Sequence, residues 1–484
     1  MDEHILQTEL TAYAGAGPYP LHMPGHKRRM APAPGLPYAW DMTEVPGTDD
    51  LHDATGILAA AMARTAALWG AQRSFYLVNG SSGGLLAAIR AMVPFGGEVL
   101  CARNCHKAVY HGIELCGLSP HWLLPAFDPA FGIYGSITPA QVAAALARHP
   151  NAACVILTSP TYEGVLSDLA GIAAVCHAHG VPLLVDEAHG AHYLPLAVPH
   201  GWAGGAVAAG ADVVVQSPHK TLPSLTQTAL LHQNRSLVSP AALARELAVF
   251  ETSSPSYPLM ASLDGCTGIL AARGGALFAA WRARLARFGA AVAGLRGLKI
   301  LCHGADTLPA HPAFFAHDSG KILVNATALG LPGPALAEIL RRDYAFETEM
   351  ACGGNVLAMS TLCDAPDALD KFAAALCRID AAADEPAGQP APPAPLPAPG
   401  APHCTPLQAA NAAKVCLPAG DCLGRVCAEY VWAYPPGVPL IAPGEEVTPA
   451  FAAACAALQQ AGTALRHTIA RPGTLAVLAA PPTV

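Results

Sequence analysis

Three short polar stretches, each closing an apolar run, hold the residues of this chain best suited to covalent chemistry. Asn79-Gly80-Ser81-Ser82-Gly83-Gly84 follows Ser74–Val78. Asp186-Glu187-Ala188-His189-Gly190-Ala191-His192 follows Pro182–Val185, and Ser217-Pro218-His219-Lys220 follows Asp212–Gln216. Strand ends are where open α/β sheets place their ligands. A lysine partly desolvated at such a point has a lowered pKa and is nucleophilic toward a carbonyl. Lysines at strand ends are also common as solvated surface residues, so Lys220 alone carries little weight. What adds weight is its company. A lysine, an aspartate and a Gly/Ser turn on strand ends meet three demands of pyridoxal phosphate (PLP). These are a Schiff-base amine, a partner for the pyridinium nitrogen and a phosphate cradle.

The elements that must position these residues follow a regular alternation. Helical spacing is read over Gly56–Trp69, Leu85–Met92, Pro139–Arg148, Leu169–His179, Pro240–Phe250 and about Leu263–Leu295, the last with Leu270, Leu277, Trp281, Leu285 and Phe288 in one stripe. Strands are expected at Ser74–Asn79, Glu98–Ala102, Ala153–Leu157, Pro182–Val185, Asp212–Gln216 and Thr226–His232. Strand–helix–strand over more than a hundred residues predicts an α/β fold with a mostly parallel sheet and helices on both faces. The Gly/Ser turn then aims backbone N–H groups and two hydroxyls at the start of a helix, where an anion is stabilised. A plain glycine turn with a serine cap fits the same letters. His106 lies where a strand passes into a helix beginning near Asn104, a place from which a ring can cover an aromatic cofactor or satisfy local hydrogen bonds. Residues 1–45 show little periodicity and read as turn-rich. Five regions follow: an N-terminal arm (1–55), a large cofactor-binding domain (56–295), a small α+β domain (296–383), a Pro/Ala-rich linker (384–403) and a C-terminal domain (404–484). The linker lacks basic residues and reads as a polyproline spacer.

At 484 residues the chain is too long for one core, and 52% apolar against 13% charged residues excludes disorder for most of it. That excess also favours a large subunit interface. No apolar run is long enough for a membrane-spanning helix, and from the acidic Met1-Asp2-Glu3-His4 no signal peptide is expected. A net charge of −8 argues against a nucleic-acid partner. Fifteen scattered cysteines suggest reduced thiols and a cytoplasmic setting. Cys101 and Cys105 lack further convergent ligands, so no metal site is expected.

Pro20-Leu-His-Met-Pro-Gly-His-Lys27, Thr43-Glu-Val-Pro-Gly-Thr-Asp-Asp-Leu-His52, Val78-Asn-Gly-Ser-Ser81, Asp186-Glu-Ala-His-Gly-Ala-His192, Gln216-Ser-Pro-His-Lys-Thr-Leu222 and Tyr434-Pro-Pro-Gly-Val-Pro-Leu440 together resemble the Orn/Lys/Arg decarboxylases, PLP enzymes of fold type I. The likeness is to the shorter members, without an N-terminal wing domain. Position 189 is His where the larger members carry Trp. The resemblance implies a PLP-dependent decarboxylation of arginine, lysine or ornithine, as in polyamine biosynthesis. It implies that Lys220 forms the Schiff base, Asp186 binds the pyridinium nitrogen, His106 stacks on one ring face and Ala188 packs on the other. Ser81, Ser82, Ser217 and His219 would hold the phosphate, and His189 would sit near the ring oxygen. His219 or Lys220 would return a proton to Cα. For the distal cation of the substrate, Asp49, Asp50, Glu347 and Glu349 are candidates. A homodimer or larger even assembly is implied as well. The alternatives are an aminotransferase or β-eliminating lyase on the same fold, and a non-enzymatic binding protein, which would be expected to lack Lys220 or Asp186.

Overall fold

A computed structural model describes residues 5–16, 23–24, 26–28, 35–234, 237–301, 311–383, 395, 397–434, 438–460 and 464–480. The Pro20–Lys27 segment, the Pro/Ala linker and the Tyr434–Leu440 motif lie partly outside the described residues. The principal elements up to the long helix are α1 (Ile5–Ala16), α2 (Ile57–Trp69), β1 (Arg73–Leu77), α3 (Gly80–Met92), β2 (Glu98–Ala102), α4 (Lys107–Leu115), β3 (Ser119–Leu123), α5 (Pro139–Arg148), β4 (Ala152–Thr158), α6 (Leu169–Ala178), β5 (Leu183–Glu187), β6 (Val213–Gln216), α7 (Pro218–Thr221), β7 (Ala229–Gln233), α8 (Pro240–Phe250) and α9 (Tyr257–Val292).

The chain divides into two compact units, one of residues 1–92, 180–282 and 361–363, the other of 93–179, 283–360 and 364–484. In the first, four strands run in the order β1-β7-β6-β5. The pair β5–β6 is parallel, while β7 runs antiparallel to both its neighbours. In the second, β2 pairs in parallel with β3 and with β4. The parallel character is as expected, and β7 is the exception to it. Every residue of β5, β6 and β7 is buried. These near-continuous Val/Leu runs suit a sheet covered on both faces, each buried side chain contributing roughly 1.5–3 kcal/mol.

Local chemistry sets several helix bounds. Thr138 and Gln141 form a capping box with proline at the first turn, and α5 matches its predicted range. Ser239 caps α8, again before a proline, with the same result. Two expectations are corrected. Residues 1–45 are not all turn-like, because α1 buries Leu6 and Leu10 and the Leu6 N–H donates to Asp264 Oδ2 at 2.8 Å. The helix expected from Leu85 begins at Gly80, so the Gly/Ser segment is its first turn rather than a turn before it. Close packing explains this. A Cβ at Gly84 would stand 2.4 Å from Leu77 Cδ1 and 3.3 Å from Val215 Cγ1, so only glycine lets α3 lie this near β1 and β6. Along α9 the expected stripe holds except at Leu277, which is half-buried while its neighbour Phe278 is buried.

Beyond α9, the second unit carries strands β8 (Lys321–Asn325) and β9 (Asn355–Met359), paired antiparallel, and helix α10 (Ala368–Ala382). Near its end, Val431–Tyr434 lies between Val438–Ile441 and Ala464–His467. Cys422, Val431, Leu440 and Val477 form the core there.

Candidate active site

The parallel register sets Asp186 opposite Val215 and Glu187 opposite Gln216 at the ends of β5 and β6. Because strand side chains alternate, Asp186 and Glu187 face opposite sides of the sheet. Asp186 is buried, and its Oδ1 accepts the Ala188 N–H at 3.1 Å. Burial pushes its carboxyl pKa up, and the nearby Lys220 charge pulls it part of the way back. A buried carboxylate in this state gains from a cationic partner. Beyond β6 the chain enters α7, whose single turn carries His219 and Lys220, both half-buried. Lys220 Nζ lies 3.1 Å from His189 Nε2. His219 Nδ1 is 2.7 Å from the Thr228 carbonyl. A carbonyl only accepts, so Nδ1–H is the donor and Nε2 keeps its lone pair. Burial lowers the His219 pKa despite the Thr228 bond, and the Lys220 charge adds to the effect.

On the other side of the strands, a hydrogen-bonded chain runs across four of them. Glu187 accepts the Ala206 N–H at 2.8 Å and Gln216 Nε2–H at 2.8 Å. Gln216 Oε1 accepts from His232 Nε2 at 3.2 Å, and His232 Nδ1 accepts from the Ser74 hydroxyl at 2.7 Å. His232 stacks on Trp69 and burial holds its pKa down at about 3, so it is neutral. Burial pushes Glu187 up to about 8 against the pull of its two donors. This chain fixes the end of β5, which carries Asp186, and the end of β6, beyond which α7 carries Lys220. Sequence reasoning missed its members. Glu187 and Gln216 stand inside the quoted motifs, but nothing local shows that they meet His232 and Ser74. Glu251 was missed too; it is buried and accepts the Val78 and Asn79 N–H groups at 2.9 and 3.0 Å, tying α8 to the chain just before α3.

The donor set fits PLP on an observation independent of any motif. Ser217 Oγ is buried and has no hydrogen-bond partner among the described residues. An orphaned buried hydroxyl is costly, and a phosphate oxygen would satisfy it. Ser81 and Ser82 occupy the first turn of α3, one half-buried and one exposed, among backbone N–H groups with no partner within the helix. The first unit thus brings together Asp186, Ala188, His189, Ser217, His219 and Lys220.

The other candidates have the following local surroundings. His106 belongs to the second unit, where it is the N-cap of α4 and its Nδ1 accepts the Ala108 N–H at 3.3 Å. The helix therefore starts at Lys107 rather than near Asn104. Asp49 accepts four backbone N–H groups, from Thr55, Gly56, Leu58 and Ala59, at 2.8–3.3 Å. Burial alone would raise its pKa, but these donors outweigh it and the net shift is downward. Asp50 caps the short turn Leu51–Asp53 through the His52 N–H. Glu347 and Glu349 are exposed in the second unit, and Glu349 accepts the Tyr162 hydroxyl at 2.5 Å.

A lysine and a buried carboxylate at neighbouring strand ends of an α/β frame suit PLP, which needs an amine for its aldehyde and a negative charge beside its ring nitrogen. Residues 5–280 match the Orn/Lys/Arg decarboxylase major domain, and residues 402–468 match the C-terminal domain of the same family. The chain belongs to the Orn/Lys/Arg decarboxylase family and is a PLP-dependent decarboxylase of basic amino acids. The arginine decarboxylase of Bacillus subtilis strain 168 is 32% identical over 467 residues, 92% of this chain and 91% of that protein. The arginine decarboxylase of Halalkalibacterium halodurans is 31% identical over 453 residues, 91% of this chain and 90% of its own. Among solved structures, the lysine decarboxylase LdcF of Francisella novicida superposes with a TM-score of 0.80 over 98% of this chain and 80% of that one. At 17% identity this likeness shows the fold. Among the described residues no helix is long and apolar enough to cross a membrane.

Proposed function

We propose that this chain decarboxylates arginine to its amine and carbon dioxide, with PLP held in the first unit. The observation that carries the site is the meeting of Lys220 with His189 beside the buried Asp186. The choice of arginine rests on the two relatives that match over nine-tenths of this chain. PLP supplies an electron sink for the bond that breaks between Cα and the carboxylate. The protein does the rest. Asp186 holds the proton on the ring nitrogen, since opposite charges favour each other's charged forms. Lys220 is the point of covalent attachment, and His189 Nε2 is placed to accept a proton from Nζ. Ser217, Ser81 and Ser82 would hold the phosphate through their hydroxyls, and His219 would join them through Nε2 when that nitrogen carries a proton. Lys220, which carries a proton once it is free of the cofactor, would return that proton to Cα, or His219 would do so from Nε2 after taking up a proton there, with Nδ1–H held by Thr228. From the resemblance alone, His106 and Ala188 are assigned to the ring faces. Asp49 is engaged by four N–H groups, whereas Asp50 and Glu349 each accept one donor and keep acceptor capacity, so that these two and Glu347, each at least partly exposed, are the candidates for the guanidinium.

Steady-state turnover of arginine, lysine and ornithine by the purified holoenzyme tests the proposal. Arginine is expected to have a kcat/KM at least about tenfold above the others, the scale of one well-matched contact. A preference for lysine or ornithine would overturn the substrate assignment. Transamination without release of carbon dioxide would overturn the reaction.

A further inference from the structure

We propose that Glu98, His121 and His149 form a binding site in the second unit for one divalent cation with the ligand preference of zinc. Glu98 opens β2, His121 stands in the middle of β3 and His149 is the residue that ends α5. The parallel register pairs Leu100 with His121. Glu98 is two residues before Leu100, so its side chain shares that face of the sheet. There Glu98 Oε2 lies 2.9 Å from His121 Nε2. The rings of His121 and His149 stack with centroids 3.6 Å apart and planes 17° apart. One ligand atom from each residue lies within 4.8 Å of the other two.

Zinc holds imidazole nitrogen and carboxylate oxygen at about 2.0–2.2 Å, which in tetrahedral geometry puts two ligand atoms about 3.3–3.6 Å apart. The Glu98–His121 pair, at 2.9 Å, is within about 0.7 Å of that spacing. The remaining closure is at most about 1.5 Å, and one imidazole must turn out of the stack so that its in-plane lone pair converges on the ion, movements open to partly exposed side chains (27% for His121 and 33% for Glu98). Two imidazoles with one carboxylate disfavour magnesium and calcium, which take oxygen ligands, and copper(I), which takes thiolates. As the ion enters, the His121 ring takes the tautomer with its proton on Nδ1, which frees the Nε2 lone pair for the ion, and water completes the coordination. Arg148 is the neighbouring positive charge, and its Nε bonds back to the Ala144 carbonyl at 3.2 Å. Bound there, the ion would clamp the end of α5 to β2 and β3. Because only the folded chain assembles the three ligands, binding would raise thermal stability.

The test uses holoenzyme stripped with a chelator and titrated with Co²⁺ as a spectroscopic stand-in. The expected result is one equivalent with visible d–d bands and no thiolate charge-transfer band. Affinity for that equivalent should fall on the order of 10²-fold in His149→Ala and in Glu98→Gln. Zn²⁺ should raise the melting temperature of the wild type and leave both variants unmoved, while circular dichroism and decarboxylation without metal stay as in the wild type. Equal stoichiometry and affinity in all three proteins would overturn the site. So would a spectrum of thiolate type alone, which would put the ion on cysteines.

Discussion

At the scale of single residues, the site depends on how burial treats two adjacent acids. Asp186 and Glu187 are both buried and both have raised pKa values, yet they serve opposite faces of the sheet. Asp186 has a cationic neighbour in Lys220; Glu187 has only neutral donors. Glu187 therefore makes folding pH-dependent. Its folded pKa of about 8 lies above the unfolded value near ~4.3, so the native state binds the extra proton. That contribution is complete below the unfolded value and is lost as pH rises toward and through 8. Glu187→Gln should be less stable at low pH, because its amide must turn a donor toward Gln216 or the Ala206 N–H. It should also lose the decline with rising pH, on the order of a few kcal/mol in the wild type. Urea unfolding at several pH values measures this, and parallel slopes in the two proteins would assign the raised pKa elsewhere.

At the scale of elements, capping and close approach decide what the sequence makes legible. The ranges of α5 and α8 could be read because Thr138 and Ser239 announce them and proline fixes their first turns. Lys220, Asp186 and Ser217 could be placed because each closes an apolar run. The start of α3 could not, because its glycines disfavour a helix locally, while the close approach that requires Gly84, to Leu77 and Val215, appears only in the packed fold. The helix α1 is held by Asp264, some 258 residues away, and no local letter shows that bond. The same applies to the Glu187–Gln216–His232–Ser74 chain, built from four strands. Asp49 illustrates an ambiguity that only geometry separates: its acidic arm reads as a cation partner, whereas its carboxylate meets the backbone at the start of α2. Asp49→Asn tolerates the left-handed backbone (φ +68°) but keeps one acceptor oxygen of two. It should cost about 1 kcal/mol of stability and leave kcat/KM for arginine within about threefold. Unchanged stability with a loss of roughly ten- to a thousandfold in kcat/KM would return Asp49 to the substrate.

At the scale of the whole molecule, the apolar excess of the chain and its membership of a fold type I family favour a homodimer or larger even assembly. Light scattering on the purified protein at micromolar concentration should give an even multiple of the 49.6 kDa chain. A fully active monomer would contradict that expectation. Fold, strand ends and orphaned serine all converge on one amine, and its chemistry is where the reading is most exposed. Borohydride reduction of the holoenzyme, followed by digestion and mass spectrometry of the peptides, should place a pyridoxyl group on Lys220. Recovery of the label on a different lysine, with Lys220 unmodified, would contradict the site and the function built on it.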